Sequence, residues 1–395
     1  EHYEDMEPLG QIVGNAKFVC LGESRHDIRE QFQLKHRFIK YLVEEKDFSI
    51  FILEASMPYA ELINAYLQNG EGNIDDIMAN MPGWFLWDTE EISVIINWMR
   101  AYNMDTENVK KLQFYGIDIV APAYGLNSIF EYLKKVDSGF YKKFQTLEFG
   151  QDQMDDSSWQ STLQRFSAFP SGDKEMLRNN YRVLHSHILN NESAYISLSN
   201  NKEYDWILRL AYCAQEACRM FTGGSRMEMG LIRDSAMADN ALWIKRFNSD
   251  DDKSILWAHN VHITMGEFSM TGESESIKGM GYILGEELKS DMVSIGASFN
   301  RGLFQGQNRS FSPADESTMD GAFAKIGMKY GLIDLQALTK SKTVIDWLNA
   351  DQDIQGQEFI MTCIPANSFN AIFFVDSISR TIPNPVSQSR FQNMN

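Results

Sequence analysis

Acids and histidines recur in this chain directly after short apolar runs, and such pairs are what general acid–base chemistry needs. Phe18-Val19-Cys20-Leu21 runs into Gly22-Glu23-Ser24-Arg25-His26. Phe48 to Leu53 ends at Glu54, and Leu112 to Ile117 ends at Asp118. Lys253 to Ala258 leads into His259-Asn260-Val261-His262. A carboxylate beside an imidazole holds the ring in place and lets it take a proton from water. The water then attacks an ester carbonyl, and a cationic or hydrogen-bonding group stabilises the oxyanion. The same Glu and His side chains can instead ligate a divalent metal that supplies hydroxide, although His259-x-x-His262 is not HExxH. Ser24 is a poor nucleophile candidate, because Gly22-Glu23-Ser24 is not a GxSxG elbow. A single Glu or His after a strand is often a helix cap or a hydrogen-bonded structural residue. So many ionisable groups at one sheet edge have no use in a hydrophobic core, and the set reads as functional.

To meet in one site, these residues must leave the same edge of a sheet. The apolar runs read as parallel strands covered on both faces. Strand 17–22, helix 27–46 (Ile28, Phe32, Ile39, Leu42 and Val43 near helical spacing) and strand 48–53 fit a right-handed crossover. Glu23 and Glu54 are then expected on neighbouring strands. Further strands are expected over Met292–Phe299 and Asn370–Val375, whereas residues 124–250 carry only helical patterns. The expected fold is α/β, a mainly parallel central sheet flanked by helices, with a large helical insertion. The chain divides into a first core part (1–123), the insertion (124–250) and a second core part (251–395). The cleft lies between the insertion and the sheet's carboxyl edge, where open α/β sheets bind ligands. In the Pro82–Asp88 loop, Trp84 and Trp87 either line a pocket for an apolar ligand or pack the loop on the core. Gly302 to Asp320 reads as a polar loop near the site, and the tail from Ser377 is expected to fray. Glu30, one helical turn after His26, is a candidate supporting group. His2, His36, His185 and His187 read as structural or surface residues.

The 395 residues are 44% hydrophobic, ample for a sizeable core. A net charge of −18, from 36 basic and 54 acidic side chains, argues against nucleic acid or an anionic membrane as partner. No apolar run approaches the ~20 residues needed to span a bilayer. None of the four cysteines forms a CxxC pair, so they read as buried, reduced thiols. The chain begins at Glu1 without a Met, which leaves both cytoplasmic residence and export with a removed leader open.

At these residues the sequence resembles the erythromycin esterase family. A strand followed by Gly-Glu-x-x-His is matched by Gly22, Glu23 and His26, and the acid closing the second strand by Glu54. Trp98, Arg100 and Asn103 match a Trp-x-Arg-x-x-Asn helix; Phe114, Tyr115, Gly116 and Asp118 match Phe-Tyr-Gly-x-Asp. Arg233, Asp234, Met237, Ala238 and Asn240 match a further helix, His259, Asn260 and His262 match His-Asn-x-His, and Met280-Gly281-Tyr282 is also familiar. The resemblance implies a metal-independent, cofactor-free hydrolase of a small-molecule ester or lactone, the best-known substrates being macrolides. It implies His26 as base, Glu23 and Glu54 as its orienting acids, and His259 and His262 lining the cleft. Arg233 is implied as a substrate contact, and Arg25, Asp118 and Trp84 are further candidates. Arg25 stands where the family often has Thr, and Asp27 where it often has Gly. This charged pair can shift the base's pKa or narrow the cleft. It also keeps open a non-catalytic binding protein on the same fold.

Overall fold

The computed structural model describes residues 2–81, 86–147, 159–249, 251–273, 275–304, 309–338 and 341–388. Its strands are β1 (Phe18–Leu21), β2 (Phe48–Ser56), β3 (Gln113–Asp118), β4 (Lys253–Trp257), β5 (Phe268–Met270) and β6 (Met292–Phe304). They continue with β7 (Arg309–Phe311), β8 (Tyr330–Asp334), β9 (Gln352–Gln355), β10 (Ile360–Cys363) and β11 (Ala371–Ile378). The main sheet runs β3-β2-β4-β1-β6-β11-β8, with β7 paired to β6 and a small separate sheet β5-β10-β9. Along the main path all neighbours are parallel except β11 and β8. The expected mainly parallel sheet flanked by helices is therefore present.

The central strands are buried on both faces, so their apolar runs do not alternate with polar residues. Val19 and Leu21 pack with Phe32, Ile39 and Leu42 of the Arg29–Lys46 helix and with Ile92, Ile96 and Met99 of the Glu90–Met104 helix. Phe18 and Cys20 face the opposite layer, where Leu126, Tyr181, Leu210 and Met237 come from the helices between β3 and β4. Among the described residues those helices, from Ala123–Val136 to Arg226–Phe247, are uninterrupted by any strand. They pack directly on the sheet. All four cysteines are free and buried.

Three expectations need correction. β1 and β2 are not neighbours: β4 lies between them and pairs with both, Leu256 opposite Cys20 on one side and Ile52 on the other. Proximity in sequence favoured a direct β1–β2 pair, but β4 is apolar on both faces and fills the central slot. The tail does not fray at Ser377. β11 continues to Ile378, and the following residues are tied down as far as Gln388. Arg29 N–H donates to Ser379 O, Thr381 N–H to Asp27 O and Glu90 N–H to Ile382 O, while Asn384 Nδ2 donates to Asp75 O and Asp88 Oδ1. Third, within Gly302–Asp320 the described residues include the end of β6, β7 and the start of the Met319–Ala324 helix, so it is not simply a loop.

Candidate active site

Glu23 follows β1 and is completely buried. Its Oε1 accepts from His26 Nδ1 at 2.6 Å, and its Oε2 accepts from Lys35 Nζ at 2.6 Å and Trp257 Nε1 at 2.7 Å. Burial by itself raises the Glu23 carboxyl, but Lys35 and His26 outweigh it and hold the group below the usual carboxylate range. Gly22 permits this turn by close approach, since a Cβ there would collide with the Asn260 amide oxygen. Lys35 comes from the buried face of the Arg29–Lys46 helix and lies over the Trp257 ring, 3.6 Å from its centroid. Burial pulls its ammonium down to about 7, against the opposing charges of Glu23 and Glu54.

With Nδ1–H donating to Glu23, the His26 Nε2 is left as the basic nitrogen. Among the described residues Nε2 has no hydrogen-bond partner, and the side chain is 14% exposed. Trp87 lies 5.5 Å from the His26 ring edge-on, and its indole N–H donates to Glu54 O.

A second network begins at Glu54, which lies inside β2 within the register shift between Leu53 and Ser56. Its Oε1 accepts from Arg233 Nη2 at 2.8 Å and lies 3.2 Å from His262 Nε2, while its Oε2 accepts from the His259 backbone N–H at 2.8 Å. Arg233 also bonds Asp118 through Nε and Nη2, the shortest contact being 2.6 Å. His262 Nδ1 lies 2.7 Å from Asp234 Oδ1. Burial lowers the His262 pKa, but Asp234 and Glu54 dominate and raise it to about 10, so the ring is an imidazolium at neutral pH. Burial likewise favours protonated Glu54, yet His262, Arg233 and His26 hold it well below the usual range. Each of the four carboxylates Glu23, Glu54, Asp118 and Asp234 is thus paired with Lys35, Arg233 or the His262 imidazolium. Among the described residues no group of three or more His, Cys, Asp or Glu side chains is arranged to hold a metal ion.

His259 has both ring nitrogens engaged: Nε2–H donates to Ser24 O at 2.8 Å and Nδ1 accepts from Val261 N–H at 3.2 Å. Burial and the nearby His26 push its pKa down to about 3, so it is neutral. It ties β4 to the turn after β1, and its ring stands 5.3 Å from that of His26. The Ser24 hydroxyl donates to Ala297 O and accepts from Gln31 Nε2 inside the core.

The structure therefore joins Glu23, His26, Glu54, Asp118, Arg233, His259 and His262 at one sheet edge. Trp84 lies outside the described residues. Glu30 does not support His26; its carboxylate accepts from Ser379 N–H and Oγ–H and anchors the tail. Arg25 is fully buried and paired with Asp27, with its guanidinium against Phe304 and Phe311. Sequence reasoning missed Lys35 and gave Asp234 no role. The signal for Lys35 was its place in the apolar stripe Phe32, Lys35, Ile39, Leu42, where an unpartnered ammonium would be costly. Asp234 stood in a matched motif; its second oxygen accepts from Met280 N–H. Three motif asparagines hold backbone instead: Asn103 brackets Leu112, Asn240 donates to Ile117 O, and Asn260 clasps Ala297 N–H and O.

The erythromycin esterase family model matches residues 43–378. The chain is 24% identical over 310 residues to an erythromycin esterase type II of Escherichia coli, covering 75% of this chain and 72% of that one. A Bacillus cereus protein of known crystal structure superposes with a TM-score of 0.82 at 24% identity, covering 97% of this chain and 94% of the other. An erythromycin esterase mutant in its open conformation superposes with a TM-score of 0.77 at 20% identity, covering 96% and 95%. At those identities the two structures speak to the fold alone. The match across most of the chain settles the descent: this protein belongs to the erythromycin esterase family of hydrolases.

Proposed function

We propose that this protein hydrolyses a carboxylic ester or lactone by general-base catalysis, with His26 activating the attacking water. The observation that carries the reading is the polarised Glu23–His26 pair, with Nδ1–H on the carboxylate and Nε2 without a partner among the described residues. Nε2 takes the water proton as the hydroxyl adds to the carbonyl carbon. Glu23 steadies the imidazolium that forms, and Lys35 keeps Glu23 ionised. The carbonyl oxygen gains charge in the same step. Arg233, 22% exposed, is the cationic group suited to meet it, and protonated His262, held between Asp234 and Glu54, adds positive charge beside it. The imidazolium then returns its proton to the leaving alkoxide. In this scheme His259 is a positioning residue, since both its nitrogens bond protein atoms. Arg25 is likewise assigned to positioning, and Asp118 fixes Arg233.

The test is mass-spectrometric turnover of a panel pairing macrolide lactones with simple esters, with and without chelator, on wild type and His26→Asn. A product heavier than its substrate by one water, insensitive to chelator and absent in the variant, is expected. Full activity of His26→Asn on a verified substrate would sink the assignment. Loss of turnover with chelator would favour a metal-dependent hydrolase, and ligand-induced thermal stabilisation without turnover a binding protein.

A further inference from the structure

Arg25 immediately precedes the proposed base, yet it is 0% exposed and pairs with Asp27. Its guanidinium makes a two-pronged pair with Asp27, Nε–Oδ1 at 2.9 Å and Nη2–Oδ2 at 3.0 Å. The cation lies 5.0 Å from the ring centroid of Phe311 on β7 and 5.7 Å from that of Phe304 on β6. Its remaining donors reach the Gly356–Phe359 turn between β9 and β10. Nη1 donates to Gln357 O, and Nη2 stands 3.6 Å from Glu358 Oε1. The turn answers at the base itself: the Gln357 side-chain oxygen accepts from the His26 backbone N–H at 3.0 Å.

The same turn is held at its other points. Glu358 accepts both prongs of Arg309, at 2.7 and 2.9 Å, and Gly356 N–H closes the turn on Phe359 O at 2.9 Å. Just before it, Gln355 N–H donates to the buried Asp320 at 2.7 Å. The turn thereby sets Phe359 5.6 Å from the His259 ring, which stands 5.3 Å from His26. The rings of Phe359, His259, His26 and Trp87 form one row.

We propose that Arg25 is a positioning residue that clamps the Gly356–Phe359 turn onto the backbone of His26, making the turn a fixed wall of the cleft that restricts access to the imidazole. This deepens the hydrolase reading, since it assigns to Arg25 and Gln357 a part in deciding which acyl groups reach His26. A free Gly356–Phe359 turn would leave the His26 N–H without its acceptor and the base with a wider approach. Arg25→Lys keeps the charge but loses the planar fork needed to hold Asp27 and the turn together. Gln357→Ala removes the acceptor for His26 N–H while leaving the buried cation intact.

The test reads accessibility and opening, without needing a substrate. Diethyl pyrocarbonate acylation of His26 at neutral pH is followed by peptide mass spectrometry, with His185 of the helical segment as internal reference. Hydrogen exchange is followed in peptides spanning 22–28 and 354–360. In both variants His26 acylation and exchange in the two peptides are expected to rise together, about tenfold for Arg25→Lys, which weakens bonds to a charged group, and about fivefold for Gln357→Ala, which loses a neutral one. His185 reactivity should stay at its wild-type value in both variants. Unchanged His26 acylation in Gln357→Ala, or exchange rising in one peptide only, would overturn the clamp. Failure of His26→Asn to abolish turnover would instead overturn the hydrolase reading and leave the clamp standing.

Discussion

Replacing Lys35 with methionine removes a cation and little volume. In the native protein Lys35 Nζ sits 2.6 Å from Glu23 Oε2 with both side chains fully buried. At an effective dielectric of about 20 that separation corresponds to roughly 6 kcal/mol of attraction, much of it offset by desolvation. Removing one partner of a buried pair leaves the other uncompensated and typically costs about 3–5 kcal/mol. The Trp257 ring also loses the cation above it, worth about 1–2 kcal/mol when desolvated. We therefore expect Lys35→Met to be destabilised by about 3–5 kcal/mol in urea unfolding followed by tryptophan fluorescence. The pH dependence gives a second, sharper readout. The folded pKa of Lys35 lies at about 7, below its ordinary 10.5, so between these values the native state binds fewer protons than the unfolded chain. Its contribution makes stability rise with pH across that window. His262 acts in the opposite sense. Its folded pKa is raised from 6.5 to about 10, so its stabilisation is complete below 6.5 and lost as pH climbs to about 10. In wild type the two slopes oppose each other; in Lys35→Met that of His262 stands alone, and stability should fall more steeply between neutral pH and about 10. A loss under about 1 kcal/mol with a pH curve parallel to wild type would refute this account of the buried pair.

Other perturbations probe other links. Arg233→Lys keeps a charge but cannot serve Asp118 and Glu54 together; kcat on a verified substrate should drop about 100-fold or more, with a smaller change in KM. Asn260→Ala breaks the paired bonds to Ala297 N–H and O and should cost about 2–3 kcal/mol by calorimetry, and a change below about 0.5 kcal/mol would count against the clasp. Asn384→Ala releases the tail from Asp75 and Asp88; proteolysis after residue 378 should accelerate markedly while exchange of the β1 amides stays slow, and equal susceptibility in both forms would argue against a tethered tail.

The fold was readable where burial on both faces left continuous apolar runs, as in β1, β2, β4 and β11. Strand order was less so, because pairing depends on which edges meet in space, and β4 arrives only after the helices that follow β3. The joining of Glu23, His26, Glu54, His259 and His262 followed from one rule, that parallel strands deliver their carboxyl ends to the same edge. What balances these charges was harder to see. Lys35 looks in sequence like one polar residue interrupting a stripe, and only depth shows that it is a buried counter-ion. Asn103, Asn240 and Asn260 carry motif positions yet bond backbone, a distinction that residue type alone does not make. The tail from Ser379 to Gln388 was misread because polar, proline-containing segments are commonly loose. Here Glu30, Asp88 and Glu91 receive its backbone N–H or side-chain groups one by one.

The placing of β4 between β1 and β2 has a consequence for how the chain is made. Phe18 pairs with Ser254 and Leu53 with Trp257, contacts between segments far apart in synthesis. Until the ribosome has delivered β4, β1 lacks its partners on both sides, since β6 is later still, and β2 presents an open apolar edge. Such high contact order slows the final search, and the half-built sheet is a template for joining other nascent chains. The helices between β3 and β4 emerge in that interval and cover one apolar face of the waiting strands. A nascent chain stopped just before Lys253 should therefore bind chaperones strongly, and one carried past β6 should be far closer to release.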